Sequence, residues 1–225
     1  MKSIVLLSGG LDSTVSLAHA MRESDVALCL TFDYGQRAVS QEKKAAATLA
    51  THYRLDHLVI ELPYLRGITS TALVRDDLAL PEPDRAGLDD FAASSAAAAA
   101  VWVPNRNGLF INIAAAFAES RQCGLVVTGF NREEAVTFSD NSADFVAAAS
   151  HALSFSTMNA VKVVSYTQRL DKVEIIKLGL RLGVPFEYVW SCYRGYDKMC
   201  GSCESCQRFK RAAELAGLDT TALFI

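Results

Sequence analysis

The chain has 225 residues, of which 51% are apolar and 21% charged, and its formal net charge is −3. That suits one compact domain or a domain with an appendage, and it excludes a generally nucleic-acid-binding or membrane-surface protein. No apolar run is long enough to span a bilayer, and Lys2 leads straight into a short strand without the apolar region of a signal peptide, so a cytoplasmic protein is expected.

A strand is expected over 3–7. The turn after it, SGGLDS at 8–13, leads into a helix over 12–22. A glycine turn between a buried strand and a helix aims backbone N–H groups outward, where the positive end of the helix dipole adds to them. With Ser8, Ser13 and Thr14 supplying hydroxyls, a bound phosphate is favoured over a plain turn in which Asp12 or Ser13 caps the helix. The spacing is neither a Walker loop nor G-x-G-x-x-G.

A second strand over 26–32 runs into FDYGQR at 32–37. This is either a polar turn or a wall of the nucleotide site, since ligands of open parallel sheets lie beyond the carboxyl ends of the strands. A helix over 39–53 and a strand over 57–62 follow. Residues 75–101 break the rhythm with a PEP tripeptide, clustered acids and an alanine run from Ala96 to Ala100. A mobile loop or lid is expected over 75–104, with room for one short helix.

VPNRN at 103–107 opens a helix over 107–123. Arg106 opposes the dipole there unless an anion is near, so it is either a phosphate or carboxylate contact or a solvated arginine in a capping turn. A strand over 125–128 leads to the acids Glu133, Glu134 and Asp140, candidates to grip an N–H-rich heterocycle; Asp140 otherwise caps the helix over 143–153. After a strand over 161–164, Lys172 opens a helix over 172–182 and either meets a pyrophosphate or carboxylate or is solvated. Apolar strands alternating with helices imply an α/β fold, an open parallel sheet with helices on both faces.

Four of the six cysteines, Cys192, Cys200, Cys203 and Cys206, lie close together near the end of the chain. Four thiolates with no open position favour one structural zinc, and Gly201 permits the tight turn; an iron–sulfur cluster is the rival. Cys29 and Cys123 stand alone on apolar elements and read as core.

Together these motifs resemble the 7-cyano-7-deazaguanine synthase family of queuosine precursor biosynthesis, among the PP-loop ATP pyrophosphatases. The resemblance rests on SGGLDS (8–13), FDYGQR (32–37), VPNRN (103–107), LDKVEI (170–175), SCY (191–193) and CGSCESC (200–206), in the family's order over nearly the whole chain. The segment 129–142 departs from the commoner SGYPDC-like form, and the alanine-rich stretch lacks the family's usual residues.

The resemblance implies a Rossmann-like PP-loop domain over 1–185 and a small zinc-binding helical segment over 186–225. It assigns ATP to Leu7, Ser8, Gly9, Gly10, Leu11, Asp12, Ser13, Thr14, Val15, Ser16 and Leu17, with Asp33, Tyr34 and Gln36 beside them. Asp12, Ser13, Arg106 and Lys172 become catalytic, with magnesium sharing the phosphate charge. Asn107, Glu133, Glu134 and Asp140 become contacts to the base, and the four cysteines hold one Zn2+ per chain. The implied reaction converts 7-carboxy-7-deazaguanine and ammonia to the nitrile with two ATP, through an adenylated acid and an adenylated amide. A homodimer acting on small molecules, without stable nucleic-acid binding, completes the expectation. The rivals are a PP-loop tRNA sulfurtransferase with an iron–sulfur cluster, a non-enzymatic nucleotide-binding module, and a related enzyme whose acceptor is a protein amine.

Overall fold

The first strand, β1 (Lys2–Leu6), buries Ile4 and Val5 completely, one toward each face of the sheet. A strand covered on both sides must be apolar at consecutive positions, which is how β1 reads. In the computed structural model, which describes all 225 residues, it is followed by α1 (Leu11–Glu23), β2 (Asp25–Asp33), α2 (Val39–Tyr53) and β3 (His57–Glu61). Then come α3 (Pro63–Ile68), α4 (Phe91–Val101), α5 (Arg106–Ser120), β4 (Leu125–Thr128), α6 (Ala143–Ser156), β5 (Lys162–Ser165), α7 (Lys172–Leu182) and α8 (Glu204–Ala216).

All neighbouring strands pair in parallel, in the order β3-β2-β1-β4-β5. The chain moves out from β1 to β3 and returns on the other side of β1 with β4 and β5. The order reverses at β1, so a crevice opens beyond the carboxyl ends of β1 and β4.

Period-2 alternation divides the core. Ile4, Leu28, Leu30 and Val126 face Ile111, Ala114 and Ala118 of α5. Val5, Cys29 and Val127 face Leu17 of α1 and Ala46 and Leu49 of α2. A third apolar cluster joins Leu11 and Val15 of α1 and Ile175 and Ile176 of α7 to Cys192, Met199, Phe209 and Phe224 of the C-terminal segment. That segment therefore shares its core with the helix that carries the first glycine turn.

One expectation shifts. The helix expected over 107–123 begins at Arg106 and stops at Ser120, because Gln122 takes a left-handed conformation with φ 56° and turns the chain toward β4. The stretch 75–104 contains the 11-residue α4, with only Ala98 and Val101 of that helix buried. It is fastened to the C-terminal segment: Glu204 N donates to Pro81 O at 3.0 Å, Arg211 meets Asp89 at 2.7 Å, and Arg85 and Arg194 pair with Glu214 and Glu82. No helix is long and apolar enough to cross a membrane.

Candidate active site and four-cysteine centre

The glycine turn leaves β1 where the sheet order reverses. Gly9 has φ +80°, and a Cβ there would lie 2.7 Å from the Ala45 Cβ of α2. Only glycine lets the turn sit so close to α2. On the other side, a Cβ on Gly129, just after β4, would lie 2.6 Å from the Ser13 backbone nitrogen. The turn is thus clamped between two elements by absent side chains.

The N-cap of α1 is Gly10, with no side-chain cap. Neither Asp12 nor Ser13 caps the helix. The Ser13 hydroxyl donates to Gly10 O at 3.1 Å and lies 3.1 Å from that of Ser8; the Ser8 backbone N–H donates to Ser13 Oγ at 3.3 Å. The Thr14 hydroxyl donates to Gly10 O at 2.8 Å. The first N–H groups of α1 stay free for an anion. Leu11, Val15 and Leu17 are buried core that fixes the helix, and Ser16 donates from α1 to Thr128 O at 2.6 Å.

Asp12 turns instead to Lys172. The Lys172 ammonium donates to Asp12 Oδ2 and Glu134 Oε1, both at 2.5 Å, with only 9% of the lysine side chain exposed. An Asp171–Glu174 capping box fixes the start of α7 and so aims Lys172 inward. Burial raises the Asp12 carboxyl to about 6 despite the opposing pull of Lys172. The other oxygen, Asp12 Oδ1, is buried without a hydrogen-bond partner.

Two adjoining cavities meet here. One, of about 260 Å³, lies over the turn and is walled by Tyr34, Gln36, Arg106, Asn107 and Phe110. The other, of about 420 Å³, extends toward α8 and is bordered by Glu133, Glu134, Lys172, Tyr193, Glu204 and Arg208. Arg106 is half-buried between the two cavities and donates to the Tyr34 hydroxyl at 3.0 Å. Asp33 lies to one side, held by Lys43 at 2.9 Å. Glu133 is engaged by Arg208 at 2.7 Å and Arg211 at 3.5 Å. Asp140 borders neither cavity and accepts from the Asn141 amide at 3.3 Å. The cap of α6 is Ser142, not Asp140.

Sequence reading did not single out Glu42, Glu204 and Arg208 of the cavity walls, and it reached Tyr193 only as part of the SCY motif and as a second choice for base recognition. For Glu42 the signal was present: Ala38, Glu42, Ala45, Ala46 and Leu49 share one helical face, and a carboxylate on that apolar face calls for a reason. Glu204 and Arg208 stand four apart on α8, but only the fold brings that face to the cavity.

The four thiols Cys192, Cys200, Cys203 and Cys206 lie within 4.8 Å of one another, and none forms a disulfide. Backbone N–H groups of Arg194 and Cys203 donate to sulfur at 3.3 Å each, and Gly201 has φ +72°. Four converging sulfurs with backbone donors match a tetrahedral metal. Cys29 and Cys123 are buried core thiols as expected, and burial pushes Cys29 up to about 12.

The model of the family "Queuosine biosynthesis protein QueC" matches residues 2–217. This chain belongs to the QueC family. It is 64% identical over 218 residues to a 7-cyano-7-deazaguanine synthase of Pelotomaculum thermopropionicum, covering 97% of this chain and 99% of that one. One from Methanosarcina barkeri is 47% identical over 221 residues, covering 97% of this chain and 96% of that one. QueC membership makes the chain an ATP-dependent ligase of queuosine precursor biosynthesis and sets the sulfurtransferase aside. Among solved structures, NMN synthetase from Francisella tularensis has TM-score 0.50 at 16% identity, covering 98% of this chain and 79% of that one. A 4-thiouridine synthetase–RNA complex with bound ATP has TM-score 0.52 at 16% identity, covering 96% of this chain and 52% of that one. At that identity the likeness is one of fold, and the fold is the PP-loop type.

Proposed function

We propose that this QueC protein converts 7-carboxy-7-deazaguanine and ammonia to 7-cyano-7-deazaguanine at the junction of the two cavities, with the cavity over the glycine turn for ATP and the cavity toward α8 for the base. The carrying observation is the uncapped start of α1 beside the buried Asp12–Lys172–Glu134 group, facing both cavities.

A carboxylate oxygen of the base attacks the α-phosphorus of ATP, and pyrophosphate leaves into the turn. The free N–H groups of α1, Ser8 and Ser13 receive its charge, and Lys172 and Arg106 offset the negative charge that develops. The orphaned Asp12 Oδ1 fits a divalent cation, and magnesium held there would share that charge. Ammonia attacks the acyl carbon of the adenylate and AMP leaves, giving the amide. Its oxygen attacks a second ATP; loss of AMP and the remaining N–H protons then leaves the nitrile. Tyr34, Gln36, Asp33 and Asn107 are proposed to flank the nucleotide and base. Zinc at the four cysteines is given a structural role. A cytoplasmic homodimer without stable nucleic-acid contacts belongs to the same reading; the net charge of −3 supports the last of these and the unbridged thiols the first.

The test is pyrophosphate exchange into ATP, which should depend on the carboxylated base and proceed without ammonia. Exchange that ignores the base would sink the reading.

Recognition of the base is assigned first to Glu133 and Glu134, which border the acceptor cavity, with Asp140 behind Arg106 and Asn107. A ligand donor left without its acceptor costs about 1–3 kcal/mol, roughly ten- to hundredfold in kcat/KM. At least one of Glu133→Gln and Glu134→Gln should raise KM for the base by that factor while sparing KM for ATP, and Asp140→Asn should spare both. Steady-state kinetics with each substrate varied decide it; unchanged base KM in both glutamine variants would move recognition to Tyr193 and its surroundings.

A further inference from the structure

Six acids border the two cavities: Asp12, Glu42, Asp89, Glu133, Glu134 and Glu204. Five are paired with a cation. Lys172 holds Asp12 and Glu134, Arg208 holds Glu133 and Glu204, and Arg211 holds Asp89. Glu42 alone has no ion pair. Its only side-chain partner is a neutral amide, Gln36 Nε2, which donates to Oε2 at 2.7 Å. Gln36 is in turn fixed by the Phe32 carbonyl, to which it donates at 3.0 Å. The amide therefore orients the carboxylate without neutralising it.

Glu42 belongs to the walls of both cavities. The nucleotide and the acid must meet where these cavities join, because the α-phosphorus and the carboxylate become bonded. The charged or titratable groups that act on Glu42 are Arg106 from α5, which attracts it without a hydrogen bond, and Asp33 and Tyr34 from the end of β2. Burial is the main cause that raises its carboxyl above the ordinary range.

The reaction brings a cation to this junction that the protein does not supply. At neutral pH ammonia is present almost wholly as ammonium, which has no lone pair to attack carbon. A partly buried carboxylate with no cation in direct contact, only the attraction of Arg106 from farther off, suits that ion, since a buried charge is stable only when paired. We propose that Glu42 binds ammonium at the cavity junction and accepts its proton, a role that rests on the adenylation chemistry proposed above. One N–H bond of ammonium breaks and the proton passes to Glu42 Oε1. The freed nitrogen lone pair forms the C–N bond to the acyl carbon. The C–O bond to AMP breaks, AMP leaves with that electron pair, and the surplus proton on nitrogen leaves with it. Glu42 returns its proton to solvent after the amide forms.

The test compares wild type with Glu42→Gln, which can still accept from Gln36. Exchange of pyrophosphate driven by the acid should stay within a few fold, showing that fold and adenylation are intact. KM for total ammonia at neutral pH should rise about 10²-fold, the usual scale for a positioned base. The deficit should shrink as pH rises toward the pKa of ammonium, because free ammonia then arrives without help. Hydroxylamine, already neutral at the same pH, should capture the acyl adenylate at near wild-type rate. Glu42→Asp, which keeps the charge but shortens its reach, should fall between the two. Equal losses with ammonia and hydroxylamine, loss of exchange itself, or an unchanged KM for ammonia would each overturn the assignment. Absence of acid-dependent exchange in the wild type would instead overturn the adenylation chemistry beneath it.

Discussion

Lys172→Met should abolish turnover and also destabilise the protein, and the destabilisation should grow with pH. The ammonium sits between Asp12 and Glu134 at 2.5 Å from each, with 9% of its side chain exposed. Removing it leaves two carboxylates facing one another in a nearly closed site, and breaking such a group costs about 3–5 kcal/mol. The sign of the pH dependence is set by Asp12. Its folded carboxyl is already raised to about 6, chiefly by burial, from an ordinary 3.8. A raised acid contributes stability at pH below its unfolded value and loses it as pH rises through the folded value. Without Lys172 that rise is larger, because the opposing attraction is gone, and Glu134 joins it. The gap between wild type and variant should therefore widen from about pH 5 to pH 8. Adenylation should fall about 10²–10³-fold or more, the scale for losing one group that faces developing charge. Urea denaturation at two pH values and pyrophosphate exchange measure both. Ser13→Ala is the comparison: it should lose exchange but lower stability by only about 1 kcal/mol, the cost of hydrogen bonds within the turn, with no widening of the gap as pH rises. A Lys172→Met protein of unchanged stability at both pH values would return the lysine to the solvated reading.

The second large effect is expected at the cysteines. Wild type should carry one zinc per chain, and Cys203→Ser should lose it. Cys203 is wholly buried, forms the N-cap of α8, and lies in the apolar cluster that reaches Leu11 and Val15 of α1. Losing the metal would loosen α8 from α7 and from the cluster it shares with α1, the helix whose first turn is proposed to receive phosphate. A closed four-thiolate site contributes folding free energy outright. A loss of about 3 kcal/mol or more, roughly 6–12 °C in Tm for a chain of this size, is expected. Metal analysis and a thermal melt test it. Iron with acid-labile sulfide in the wild type, or a metal-free variant that melts with the wild type, would contradict it.

The sheet was legible because each strand carries its own signal. Continuous apolar runs at Ile4–Val5 and in β2 mark strands covered on both faces, and the glycine turn marks the passage from β1 into a helix. The four-cysteine centre was legible because its ligands lie close in sequence. What was hidden depends on distant pairing. Lys172 looks solvated until α7 is laid beside α1, 160 positions away, and Asp12 takes the charge. Glu133 looks free until Arg208 of α8 meets it. The stretch 75–104 has no strong periodicity of its own; what orders it is long-range, with Leu80, Val101 and Val103 joining the central core and Glu204 N donating to Pro81 O from the C-terminal segment. Asp140 is a case where position after a strand does not settle contact: it stands behind Arg106 and Asn107, which line the cavity over the glycine turn.

The most direct measurement of the central claim is mass analysis of the products from purified protein, ATP, magnesium and 7-carboxy-7-deazaguanine, with and without 15N-labelled ammonia. The expected result is the nitrile bearing one 15N, with two AMP and two pyrophosphate released for each, and no nitrile when ammonia is withheld. Release of AMP with no nitrogen incorporated from ammonia, or an unchanged carboxylated base under both conditions, would contradict the account.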